Sequence, residues 1–93
     1  MTSRKRQDQR GEAERRYALG MEIQFRRAAA RMTQTQLADA MGRSQEWVSR
    51  IETGDVTLSA FEYERLAHIL RISPHVLTEI AWRGLDKWVH SRD

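Results

Sequence analysis

A chain of 93 residues with 40% hydrophobic content suits one domain around a single modest core and excludes wholesale disorder. It has no cysteine, which removes disulfides, thiolate catalysis and cysteine-based metal sites and leaves a reducing cytoplasm compatible. No apolar run nears the ~18 residues of a membrane span, and no signal-peptide pattern is present. The net charge of +3 is uneven: residues 1–31 hold nine Arg or Lys against four acids, the rest seven against nine, so the basic third suggests either a polyanion partner or a solvated tail.

Residues 1–12 (MTSRKRQDQRGE) have no apolar side chain after Met1 and read as a flexible arm. From about Ala13 the pattern turns helical. Ala18, Met21, Ile23, Phe25, Ala28 and Ala29 form a broad stripe, and this first helix is expected to end near Arg31–Met32. Thr33 is placed to cap a second helix, with Gln36 completing a capping box in which each side chain satisfies an orphan backbone donor. Leu37, Ala38 and Met41 then point inward, and Gly42 stops the helix because glycine accepts the left-handed backbone of a C-cap. Ser44 caps a third helix with Val48 and Ile51 inward, closed by Gly54.

Asp55–Leu58 reads as a connector. Ser59 and Glu62 form a second capping box, opening a helix whose buried stripe is expected to hold Phe61, Leu66, Ile69 and Leu70. Ser73-Pro74 starts a fifth helix, since proline in the first turn forfeits no internal hydrogen bond. Val76, Leu77, Ile80 and Ala81 follow at helical spacing, and Leu85, Trp88 and Val89 extend the pattern, so the fifth helix is expected to be long or followed by a sixth. No segment alternates with period two over strand length. The fold class is all-α, divided as an arm (1–12), a helical domain (13–80) and a C-terminal helical extension (81–93).

The stretch TQTQLADAMGRSQEWVSRIETG, residues 33–54, is a pair of short helices joined by a tight turn. Ala38 permits close helix approach, Gly42 makes the turn, and Val48 and Ile51 anchor the second helix inward. Gln45, Glu46, Ser49 and Arg50 are left outward with Trp47 on a flank. Such side chains suit base reading: glutamine pairs with adenine, arginine with guanine, and glutamate accepts from cytosine. The stretch from about Leu19 to Ile80, with the serine-capped fourth helix and the Ile-Ser-Pro start of the fifth, resembles the phage-repressor/Cro-type (XRE-like) helix-turn-helix family.

That resemblance implies a five-helix, lambda-repressor-like fold that binds double-stranded DNA, usually as a homodimer, with the third helix in the major groove. It implies that Gln34 contacts phosphate and buttresses the first reading residue, and that Arg43 and Ser44 meet the backbone. It makes Gln45, Glu46 and Arg50 base-facing and puts Ser49 near base or phosphate. Trp47 either packs over the helix junction or touches a thymine methyl or sugar. Arg27 and Glu52 match a structural pair linking helix 1 to the end of helix 3. One departure is that residues 53–57 (TGDVT) carry no basic side chain where relatives often clamp phosphate; the arm residues Arg4, Lys5, Arg6 and Arg10 are candidates to compensate, along phosphates or in the minor groove.

Trp82, Leu85 and Trp88 offer a dimer contact or pack back onto helices 1 and 5. The leading expectation is a small DNA-binding transcriptional regulator of repressor type. A protein-interaction reading, as an antitoxin or adaptor docking through the Trp-bearing C-terminus, stands beside it. No phosphate loop, nucleophile elbow or metal-ligand spacing is present, and His68, His75 and His90 are scattered. Neither enzyme activity, a cofactor nor a metal is therefore expected.

Overall fold

The computed structural model describes the backbone of residues 2–84 and the side chains of residues 11–84. Five helices follow in chain order: α1 (Thr2–Ala29), α2 (Gln34–Met41), α3 (Gln45–Glu52), α4 (Ala60–Leu70) and α5 (Pro74–Arg83), with no strand among the described residues. α1 packs on α3 and α5, α2 on α3 and α4, and α4 on α5.

The helix ends follow local chemistry. Thr33 and Ser59 each make a complete capping box, with Gln36 and Glu62, and Ser44 and Ser73 accept from the backbone N–H of Trp47 and His75. These bonds satisfy donors that the first helical turn leaves unpaired. Gly42 takes φ +68° and its N–H returns to the last carbonyls of α2, so the turn into α3 needs only three residues.

Three expectations change. Residues 2–12, expected as a flexible arm, form the first turns of α1. Arg, Lys, Gln and Glu are good helix formers, and extending a helix nucleated elsewhere gains one hydrogen bond for each residue fixed. Glu12 and Arg16, one turn apart at 3.3 Å, support that extension. Second, Phe25, Ala28 and Ala29 are exposed rather than buried. The inward face of α1 is Ala18, Leu19, Glu22 and Ile23. Phe25 sits about 200° around the helix from Ile23, so it falls outside that phase. Third, Phe61 is 67% exposed, whereas Leu66, Ala67 and Leu70 are buried. It precedes Leu66 by five residues, about 140° off the buried stripe.

α5 ends at Arg83, where Gly84 takes φ +76°, so residues 81–83 of the expected extension (81–93) are the last turn of α5; residues 85–93, with Leu85 and Trp88, lie outside the described residues. The side chains of Arg4, Lys5, Arg6 and Arg10 lie outside them too.

Leu37, Leu66 and Leu77, all at 0% exposure, join Ile23, Val48, Ile51 and Ile80 in one core beneath α3. Burial of each such side chain contributes roughly 1.5–3 kcal/mol. Leu58, in the connector, is also buried and anchors the passage from α3 to α4.

Gly20 sets how closely α1 approaches α3. A Cβ there would lie 2.5 Å from the Ile51 carbonyl oxygen and 2.6 Å from that of Glu52. Both are backbone atoms that cannot rotate away. Gly20→Ala is therefore expected to destabilise the fold by about 1–3 kcal/mol through overpacking, against the ~1 kcal/mol that helix propensity alone would add. Urea denaturation checks it; a variant as stable as the parent would show that the crossing is loose.

Candidate nucleic-acid interface

α3 is only eight residues long, so its aim depends on what grips its two ends. Val48 and Ile51 face the core at 1% and 2% exposure, while Gln45, Glu46 and Arg50 are exposed on the opposite side and Ser49 and Trp47 lie half-buried at the edges. The 3.6-residue period places these positions on one solvent-facing surface once Val48 and Ile51 are buried.

Its C-terminal end is held by the carboxylate of Glu52, whose side chain is 3% exposed. Arg27, from α1, donates to it through Nε at 2.6 Å and Nη2 at 3.1 Å, and spends Nη1 on the Met32 carbonyl at 2.8 Å. Gln34, first residue of α2, donates its Nε2 to Glu52 Oε1 at 3.0 Å. Gln34 Oε1 in turn accepts from Gln45 Nε2 at 2.6 Å, at the start of α3. A single chain of hydrogen bonds thus runs from α1 through both ends of α3 and the first turn of α2. Arg16 adds a bond from Nε to the Gly54 carbonyl at 3.0 Å, just past α3.

The outer face carries two further pairs. Arg43, in the turn, lies with Cζ 4.7 Å from the Trp47 ring centroid and donates from Nη2 to Glu62 Oε2. This stacking on Trp47 combines packing with cation–π attraction, and the contact to Glu62 ties the turn to the start of α4. The Ser59 backbone N–H, opposed by burial and aided by the Arg43 guanidinium and the Ser59 hydroxyl, holds the Glu62 carboxyl below its ordinary value. Arg50 Nη2 meets Glu46 Oε1 at 3.0 Å across one turn. Arg43, Ser44, Glu46, Trp47, Arg50 and Val56 line a shallow cleft of about 250 Å³ between α3 and the connector to α4.

Gln34, Arg43, Ser44, Gln45, Glu46, Trp47, Ser49 and Arg50 therefore occupy one surface region, with Arg27 and Glu52 paired beneath it. Trp82 is set apart on the last turn of α5 at 81% exposure. Sequence reasoning missed Glu62 as the partner of Arg43, Gly20 as the crossing point, and Glu22, which is buried at 1% exposure with Arg26 at 2.6 Å. A glycine inside a helical pattern was a signal for Gly20; the other two needed the packing. Among the described residues no group of His, Asp and Glu is placed to hold a metal ion, and no helix is long and apolar enough to cross a membrane.

Comparison with known proteins adds two findings. Residues 18–80 match the family described as helix-turn-helix domain. The structure is similar to the crystal structure of the clp gene regulator ClgR from Corynebacterium glutamicum, with a TM-score of 0.70 and 25% identity, covering 87% of this chain and 84% of that one. No curated protein sequence matches.

The Glu52 network makes a stability prediction. Arg27→Ala leaves a buried carboxylate with only Gln34 as side-chain partner, and is expected to cost about 3–5 kcal/mol. Arg27→Met with Glu52→Leu, which removes both charges, is expected to recover most of that loss. Chemical denaturation of the two variants checks both; a loss below about 1 kcal/mol in Arg27→Ala would mean that the carboxylate stays hydrated.

Proposed function

The chain belongs to the helix-turn-helix domain family, and on that premise we propose that it is a sequence-specific double-stranded DNA-binding transcriptional regulator of repressor type, acting in the cytoplasm as a homodimer. The observation that carries this reading is the bond from Gln45 to Gln34 and on to Glu52, because it orients the exposed face of α3 relative to the core before any ligand arrives. ClgR, the similar solved structure, is named a gene regulator, which supports the same assignment.

In this mechanism α3 enters the major groove and the first turn of α2 lies against the sugar–phosphate backbone. Gln45 spends one amide N–H on Gln34, which keeps its Oε1 and second N–H facing outward. Those two groups match the N6 amino and N7 acceptor of adenine. Arg50 presents its guanidinium to the O6 and N7 acceptors of guanine. Gln34, Arg43 and Ser44 meet phosphates, Ser49 lies at the groove edge, and Trp47 carries Arg43. Arg4, Lys5, Arg6 and Arg10 supply the phosphate contacts that residues 53–57 lack. Trp82, with Leu85 and Trp88, joins two copies so that their α3 helices read half-sites about one DNA turn apart. A second reading, docking of a different protein on the C-terminus in an antitoxin or adaptor, is favoured by the exposure of Trp82 alone.

Selection of bound sites from random duplex DNA is expected to return two symmetric half-sites with centres roughly 34 Å apart. Gln45→Ala with Arg50→Ala is expected to erase that enrichment while weak, salt-sensitive binding persists. An unchanged motif would remove α3 as the reader, and no motif with a captured protein partner would favour the second reading. Deleting residues 2–10 is expected to lower the slope of log K against log salt by about 0.9 for each phosphate that those residues neutralise. An unchanged slope takes those residues out of the interface.

A further inference from the structure

On the outer face of α3 and the turn before it the long polar side chains are engaged within the protein: Gln45 by Gln34, Arg43 by Glu62 and Trp47, and Arg50 by Glu46. The last pair is the least expected. A carboxylate on a groove-facing turn lies close to phosphates that repel it, so an unpaired glutamate there would weaken binding. Instead Glu46 precedes Arg50 by four residues, the favourable order for a helical ion pair, and its Oε1 reaches a single guanidinium nitrogen, Nη2, at 3.0 Å. An arginine carries five N–H donors, so with one Nη2 N–H given to Glu46 the other Nη2 N–H still forms a two-donor edge with its neighbour on Nε or Nη1. Both side chains are open to solvent, Arg50 at 61% and Glu46 at 72% exposure, and in water the pair is weak. Docking in a groove strips water from it and strengthens it.

We propose that Glu46 is a positioning residue: it contacts no base, and it fixes the Arg50 guanidinium so that its remaining edge meets one guanine while the pair adds no net charge. The inference rests on the reading of Arg50 as a base-reading residue. Two consequences follow from the chemistry. Holding a flexible arginine in one geometry sharpens discrimination at the base pair that Arg50 reads. A neutral pair also limits sequence-independent attraction to phosphates, so Glu46 acts against non-specific binding.

The test is a double-mutant cycle on the selected operator. Wild type, E46Q, R50A and the E46Q/R50A double variant are titrated by fluorescence anisotropy at one salt concentration. The duplexes carry each of the four base pairs at every operator position, and an unrelated duplex is included. R50A is expected to flatten the preference at one guanine-bearing pair. E46Q is expected to reduce discrimination at that same pair by about threefold to tenfold and to tighten binding to the unrelated duplex. In the R50A background E46Q is expected to change no base preference.

If E46Q alters preference at a different pair, or keeps its effect in the R50A background, Glu46 reads a base itself and the proposal is overturned. Full discrimination retained in E46Q overturns it as well and leaves the Arg50 assignment standing. A profile untouched by R50A overturns the reading of Arg50 first and the positioning role with it.

Discussion

The buried carboxylate of Glu52 ties α1, α2 and α3 together. It sits at the last residue of α3 and takes three donors, two from Arg27 on α1 and one from Gln34 on α2. A charge at 3% exposure is tolerable only with such partners, so the three helices must meet in one register for the fold to close. An eight-residue helix has little cooperative stability of its own. What keeps α3 in place is therefore the grip on its ends. Glu52, the Gly20 crossing and the Arg16 bond to Gly54 hold the C-terminal end to α1, and the Ser44 cap with Gln34–Gln45 holds the start.

The outward face of α3 is built the same way, with side chains restrained before any partner arrives. Arg43 on Trp47 and Glu62, Gln45 on Gln34, and Arg50 on Glu46 each lose rotamer freedom in advance. Restraint of this kind lowers the ordering cost of binding and favours fit over bulk charge. That suits a chain whose basic residues concentrate before position 32 rather than on or after α3.

Much of this was legible in the chain. Thr33, Ser44 and Ser59 announce helix starts because a capping hydroxyl acts within its own first turn, Pro74 announces a fourth because proline suits a first turn, and the structure has all four starts in place. Gly42 announces the turn for an equally local reason. Legibility failed where apolar residues were counted without regard to phase. In α1 the inward positions in step with Ile23 are filled in part by Glu22, and the apolar Phe25 points away. A polar residue on a buried face looks like a gap in the stripe until its partner is known. Arg26 is one turn from Glu22, yet nothing in the spacing says that this pair is sheltered.

The sequence by itself determined the all-α class, the four helix starts, the turn at Gly42 and the outward set on α3, since each depends on interactions spanning a turn or two of backbone. Only the tertiary structure decided that Glu62 holds Arg43 and that Gly20 admits the α3 carbonyls. Those outcomes depend on side chains far apart in the chain, and spacing carries no information about which helix will lie across another.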